Sequence, residues 1–433
     1  MRIATANNYY YLRGGSERVL LDEERCLRTR GHTVIPFSSR RPENEPAETE
    51  KFFVPARRID SYGWRKIPDI ASVIHNFAAG QSFGRLLDTF HPDLVHAHNI
   101  YGTLTTAILV AARSHGIPTV MTAHDTKMIC ASYLCLDHGH VCEACAGANF
   151  YHCALRRCHN RGLAASCVYT AEAYFNSWLK RYDSLHSLIT PSRFLKALLE
   201  KYGVQTQIEV IPNGVDTRTI APRFSTGKYA LYAGRLSAEK GILTLIQASK
   251  ASQVPLRIVG DGPIRREAEK MAGGCANIRF EGYLRGAELN ALFRDSAFLV
   301  TPSEWYENAP MSVLEAFAYG KSVLGANIGG IPELVRPGET GELFSSGDIE
   351  ELAICMQRMW SSRNELVDLG RNARGVVEKE YSLDLHCDRV ERLYEHILQK
   401  DRSGRSHGRS HHRYLSVPNA VPDVQHLEKP VRS

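Results

Sequence analysis

The chain has 433 residues, 43% hydrophobic and 23% charged, a balance that excludes a disordered or fibrous polymer and fits a folded globular protein. That length exceeds one ordinary core and points to two α/β domains of similar size. The net charge of +6 gathers at the C-terminus: Lys400 to Ser433 carries seven Lys or Arg against three Asp or Glu, so the body is nearly balanced and no nucleic-acid partner is expected.

In chain order, Arg2 to Ala6 reads as a strand, Gly14-Gly15-Ser16 as a turn, and Glu17 to Thr29 as a helix closed by Gly31. Thr33 to Phe37 returns as a strand. Asp93 to Ala97 and Pro118 to Thr122 are further short apolar runs, separated by a helical stretch from Thr103 to Ser114. A second series starts near residue 205, with strands at Ile208 to Ile211, Tyr229 to Tyr232, Leu256 to Val259, Ile278 to Phe280, Phe298 to Thr301 and Ser322 to Gly325. Helices such as Ile242 to Ser249 and Met311 to Tyr319 fall between them, and strands alternating with helices mean parallel sheets. The expected domains are therefore 1–200 and 201–380. A last helix over 381–399 is expected to pack back on the first domain, and a basic, disordered tail over 400–433 to follow it.

No apolar run approaches the ~20 residues of a membrane span, and Met1-Arg2-Ile3-Ala4 passes straight into Asn7-Asn8, unlike a signal peptide. The expectation is a cytoplasmic protein that can sit peripherally on the inner face of a membrane, where Arg57-Arg58 and Arg65-Lys66 offer basic faces.

Ligands of open parallel sheets bind at the carboxyl ends of the strands, where helix N-termini point amides at anions. Tyr232 to Gly241 follows a strand and opens a helix, and its Arg235 and Lys240 are spaced to neutralise a diphosphate. Glu307 sits just before the next such helix and Glu315 two turns into it, so both could border one crevice. A carboxylate among Met311, Val313, Leu314, Ala316 and Phe317 needs a partner: ribose hydroxyls would serve, as would a nearby Lys or a helix N-terminus. The glycine fingerprint of dinucleotide binders is absent. Gly320-Lys321-Ser322 fails as a phosphate loop because Glu315 holds the required glycine position.

Together these residues resemble the retaining glycosyltransferases of family 4, which have the GT-B fold: two Rossmann-like domains whose parallel sheets face a central cleft. The match rests on Glu307-x7-Glu315, Gly234-Arg-Leu-x-x-x-Lys-Gly241, Ile211-Pro-Asn-Gly-Val-Asp216, Val259-Gly-Asp-Gly-Pro263 and Ala326-Asn-Ile-Gly-Gly-Ile-Pro-Glu333, across roughly residues 1–398. The resemblance implies transfer of a sugar from a UDP- or GDP-sugar to a saccharide or lipid-linked acceptor in polysaccharide and cell-envelope synthesis, with retained configuration and no catalytic metal. It implies that Arg235 and Lys240 hold the diphosphate, Glu315 the ribose, and Glu307 the transferred sugar. Gly234 and the backbone of Asn308, Ala309, Pro310 and Met311 would line the donor, Gly15 would approach from the other domain, His124 would lie near the sugar and Tyr283 beside the base. Other expectations from the residues are a GT-B sugar-nucleotide epimerase and a non-catalytic metal-bearing binding protein.

Seven of the eleven cysteines fall between Cys130 and Cys167, in an insertion over about 127–170. Cys142-x2-Cys145-x7-Cys153-x4-Cys158 has the make-up of a four-thiolate structural zinc site, with free thiols as the alternative, and the leftover Cys130, Cys135 and Cys167 leave an iron–sulfur centre or a redox pair open.

Overall fold

The computed structural model describes residues 1–56, 67–159 and 162–407; the Arg57-Arg58 and Arg65-Lys66 faces and the chain after His407 lie outside the described residues. In the first half, β1 (Arg2–Ala6) leads through α1 (Gly15–Thr29) to β2 (Thr33–Phe37). A two-strand ribbon, β3 (Ser39–Arg40) with β4 (Val54–Pro55), precedes α2 (Ile67–Ile74), α3 (Phe77–Phe90) and β5 (Leu94–Ala97). Helix α4 (Ala107–Ser114) runs into β6 (Thr119–Thr122). The cysteine-bearing segment follows as a second ribbon, β7 (Leu136–Asp137) with β8 (His140–Val141), then α5 (Tyr151–Arg156) and α6 (Leu163–Trp178). Strand β9 (Ser187–Thr190), α7 (Arg193–Lys201) and β10 (Ile208–Val210) finish the half.

The second half alternates strictly: β11 (Ala230–Ala233), α8 (Ile242–Ser252), β12 (Leu256–Val259), α9 (Arg265–Ala272), β13 (Ile278–Gly282), α10 (Gly286–Asp295) and β14 (Phe298–Thr301). It continues through α11 (Met311–Ala318), β15 (Ser322–Ala326), α12 (Ile331–Leu334) and β16 (Gly341–Phe344) to α13 (Ile349–Ser361), α14 (Arg363–Glu380) and α15 (Leu383–His407). Strands β5, β6, β9, β14 and β15 are buried along their whole length, as strands covered by helices on both faces must be.

Two six-stranded parallel sheets result, with orders β10-β9-β6-β5-β1-β2 and β13-β12-β11-β14-β15-β16. Each reverses direction of winding once, between β1 and β5 in the first and between β11 and β14 in the second; such switch points open the crevices in which ligands bind. The run Ile208 to Ile211, expected in the second series, instead pairs with β9 and completes the first sheet. Strand character is legible locally, but the sheet a strand joins is decided by α7, which carries the chain back beside β9. The last helix also extends beyond the expected 399, to His407.

Helix α15 lies on the first domain. Arg30, capping the end of α1, meets Asp388 and Glu391, each at 2.6 Å, and Tyr394 is fully buried among Ile3, Leu27 and Val120. The chain thus passes between the domains twice, and the two passages touch: Val215 N donates to Tyr381 O and Leu383 N to Val215 O, both at 3.0 Å. No described helix is long and apolar enough to cross a membrane.

Candidate active site

The second sheet's switch point gathers a set of charged groups on two loops. The loop after β11 carries Gly234 and Arg235, both exposed, and ends at Lys240 before α8; the loop after β14 carries Ser303 to Pro310. The two loops lie in contact because Gly241 adopts φ +66, and a Cβ there would meet the Pro302 carbonyl at 1.8 Å. Across that contact Lys240 Nζ donates to Glu307 Oε1 at 2.6 Å, and Ser303 Oγ donates to the same oxygen at 2.7 Å. The ammonium also sits 4.8 Å from the Trp305 ring centre. Burial pushes the Glu307 carboxyl up, but the Lys240 charge and the donated hydrogen bonds outweigh it and hold the group below the usual carboxylate range.

Glu315, on α11, faces the other domain. Its Oε1 lies 3.6 Å from Arg18 Nη1 of α1, so the partner its apolar helix requires is an arginine across the cleft. Burial raises the Glu315 carboxyl, Arg18 opposes that, and Asp22 adds to it. Gly15, at the start of α1, is open toward the same helix: a Cβ there would stand 3.6 Å from Met311 Cγ. Tyr283 is 54% exposed and accepts from Arg285 Nε at 2.7 Å, while Arg285 reaches Leu12 O of the first domain at 3.3 Å.

On the first domain, His124 follows β6 and its Nε2 is 3.1 Å from His98 Nδ1. Behind them lies a buried network in which Glu23 contacts His96 (2.9 Å) and His386 (3.0 Å), and Tyr394 Oη contacts His96 Nδ1 (2.6 Å). Burial, reinforced by His96, brings His124 down to about 4, so its imidazole is neutral at pH 7. Burial first, then His96, also holds His98 well below its ordinary value. Glu23, His96 and His98 have donor atoms within 4.8 Å of one another, the sole such trio among the described residues. The Glu23 oxygens are already engaged by His96 and His386, while His98 Nε2 has no hydrogen-bond partner among the described residues, so the trio is a buried polar core standing behind His124.

The Glu307 loop is stitched to the first domain at several points. Asn308 Nδ2 donates to Ala123 O at 3.2 Å and Asn308 Oδ1 accepts from Ser192 Oγ at 2.5 Å. Ala309 O accepts from Asn213 Nδ2 at 3.2 Å. Tyr306 Oη donates to Glu143 Oε1 at 2.6 Å, inside the cysteine-bearing segment. Next to the loop, Glu333 accepts from the first backbone amides of α7, Arg193 N at 2.9 Å and Phe194 N at 2.6 Å.

The family model described as "Glycosyltransferase Family 4" matches residues 13–219, and that described as "Glycosyl transferases group 1" matches residues 216–376. The chain belongs to the GT-B glycosyltransferases. Sulfoquinovosyl transferase SQD2 of Arabidopsis thaliana is 30% identical over 40% of this chain and 37% of its own length. Lipopolysaccharide 1,2-N-acetylglucosaminetransferase of Salmonella typhimurium is 28% identical over 50% of this chain and 64% of its own. Those matches thus span from about a third to under two thirds of the relatives' lengths. Sucrose-phosphate synthase from Thermosynechococcus elongatus, at 18% identity, superposes with a TM-score of 0.68 over 92% of this chain and 100% of that one. Anabaena HepE in complex with UDP and glucose, also 18% identical, gives 0.61 over 92% and 100%.

In this glycosyltransferase Arg235, Lys240, Glu307, Asn308, Ala309, Pro310, Met311 and Glu315 share one edge of the second sheet, with Gly234 at the same strand end. Gly15 and His124 come to it from the first domain through Met311 and Asn308. Tyr283 stands at the end of β13. The four-thiol set is not assembled: among the described residues no three cysteines bring their sulfurs within 4.8 Å, closer than which tetrahedral ligands must lie. Cys142 ends the β7–β8 ribbon beside Arg156, 3.5 Å from Nη1, while Cys145 turns inward to Cys130, and Cys153 pairs with Cys158. Sequence reading missed Arg18, Glu23, His96, His98, Glu143 and Ser192. The one available signal was two histidines, His96 and His98, at the end of an otherwise apolar strand.

Proposed function

We propose that this glycosyltransferase moves a sugar from a UDP- or GDP-sugar to a saccharide or lipid-linked oligosaccharide, with retained anomeric configuration, in polysaccharide or cell-envelope synthesis. The observation that carries the reading is the Lys240–Glu307 pair at the switch point of the second sheet, flanked by exposed Arg235 and opposed by Gly15 and His124. The departing nucleoside diphosphate gathers negative charge at bond cleavage. Arg235 and Lys240 meet it there, which lowers the barrier without a metal or a side-chain nucleophile. Glu307, ionised and fixed by Lys240 and Ser303, faces the sugar hydroxyls; Glu315 takes the ribose hydroxyls, for which Arg18 must yield part of its contact. Neutral His124 offers one nitrogen to the sugar while His98 orients the ring.

Donor classes and acceptors of this kind are named for relatives: an N-acetylglucosaminetransferase of lipopolysaccharide and a structure holding UDP and glucose. Calorimetric titration of the protein with UDP, GDP and ADP, repeated with Glu315→Ala, tests the reading. Selective binding of one diphosphate, weakened by the substitution, is expected. Absence of binding at ~1 mM, where even a weak site gains about 4 kcal/mol, removes the donor site and the reading with it.

A further inference from the structure

Exposed large side chains are unevenly spread. Of the ten among the described residues, seven belong to the first domain, and six of those seven lie between Val141 and Leu179. Three of them, Tyr151, Trp178 and Phe77, are linked across α5, α6 and the start of α3. Tyr151 N of α5 donates to Tyr174 Oη at 3.3 Å, and Tyr174 stacks on Trp178 at 5.2 Å. Phe77, at the start of α3, meets His75 at 4.5 Å, and His75 meets Phe175 of α6 at 5.5 Å. Trp178 is 76% exposed, Phe77 74% and Leu155 72%. Such side chains scattered singly need no explanation, but gathered on adjoining helices they mark a surface that something covers.

The outward side of α6 carries no charge at all. Its one ionisable carboxylate, Glu172, is turned inward, 4% exposed and 2.5 Å from Lys127. Exposed charge at the margin is net positive: between residues 151 and 183 the exposed charged groups described are Arg156, which pairs with Asp137 at 2.9 Å, Arg157, Lys180 and Asp183, three cations to one anion. Aromatic and aliphatic groups in the middle with cations at the margin match a lipid–water interface, where indole sits at headgroup depth and basic side chains meet anionic headgroups. A second copy of the chain fits less well, because a two-fold contact on this face would bring the cationic margins of both copies together.

We propose that the face built by α5, α6 and the start of α3 docks the protein on an anionic lipid surface, inserting Trp178 and Leu155 below the headgroups. This deepens the lipid-linked acceptor of the proposed function, since it holds the first domain against the surface carrying such an acceptor. It is nevertheless measurable without donor or acceptor, so its failure and that of the donor-site reading are separate results.

Sedimentation of the full chain with sucrose-loaded vesicles tests it, using phosphatidylcholine alone and phosphatidylcholine with roughly one-third phosphatidylglycerol. Binding to the anionic vesicles, weaker on phosphatidylcholine and reduced by salt, is expected. The double variant Leu155→Ser/Trp178→Ser should lose about tenfold or more in partitioning. Arg157→Glu/Lys180→Glu should lose the preference for phosphatidylglycerol while calorimetric nucleotide binding is unaltered in both variants. No sedimentation with anionic vesicles overturns the proposal. So does equal sedimentation of the parent and Leu155→Ser/Trp178→Ser, which would place binding elsewhere on the chain. A dimer in light scattering that the same variant dissociates assigns the face to a second copy and overturns it as well.

Discussion

Replacing Lys240 by Met keeps most of the stem and removes the cation that Glu307 is built around. The pair is close, 2.6 Å, and largely shielded, with 8% of the Glu307 side chain and 25% of Lys240 exposed. Removing one partner of a buried pair costs ~3–5 kcal/mol, since the remaining charge stays buried. Water reaches part of the lysine end and Ser303 still donates to the carboxylate, so the lower bound applies, about 3 kcal/mol. With a urea slope of about 2–3 kcal/mol/M, the midpoint should fall by roughly 1 M, read from tryptophan fluorescence. Lys240→Met/Glu307→Gln should recover most of that loss, because a neutral amide no longer needs the cation, while nucleotide binding stays impaired. The sign with pH is fixed too. Glu307 lies below its ordinary range in the parent, so its contribution is present above that range and is lost as pH falls through the folded value. In Lys240→Met the carboxyl rises and takes up a proton sooner, so the stability gap between parent and variant should narrow on acidification. An unchanged urea midpoint at neutral pH, or a double variant as unstable as the single one, would refute the argument.

Glu143→Gln and Tyr306→Phe each cut the tie between the cysteine-bearing segment and the Glu307 loop. Both should lower kcat about tenfold with little change in KM, and the double variant should be no worse than either, measured by steady-state transfer once a donor is known. His124 and His98 are buried neutral, so the unfolded chain binds protons that the folded one does not, and stability should fall as pH drops from 6.5 toward 4. Thermal melts of His124→Asn should show a shallower fall, and an identical profile would exclude the imidazole as its source. Gly330→Ala puts a Cβ 1.9 Å from the Asn308 carbonyl; loss of transfer with a melting temperature lowered by several degrees is expected, and a fully active variant would show that the loop yields.

The strand–turn–helix units around Gly234 and Glu307 are legible in sequence because their signals are local: a short apolar run, glycines at the turn, polar residues, then helical periodicity. Arg18 as the partner of Glu315 is not, since nearly 300 residues separate the two. Glu143 and Tyr306, or Glu333 and the α7 amides, are paired by how two domains meet, which leaves no spacing pattern in either partner. The contacts of the cysteines were not legible for a related reason. Cys142-x2-Cys145 has knuckle spacing, but the two thiols leave the β7–β8 ribbon toward different neighbours, Arg156 and Cys130.

The double passage of the chain between domains has a mechanical consequence. A single linker is a swivel, free to bend and to twist; two covalent strands lying side by side and bonded at Val215 and Tyr381 to Leu383 behave as a door hinge with one axis. Rotation that opens the cleft remains available, whereas torsion, which would carry Arg235 and Lys240 sideways past His124, stretches one strand against the other. Gly214 marks the pivot, since a Cβ there would stand 2.8 Å from both Leu383 Cα and His386 Cβ. The groups that must converge on a bound sugar therefore return to the same alignment at every closure, and severing the chain near Ser382 would forfeit that alignment while leaving both sheets intact.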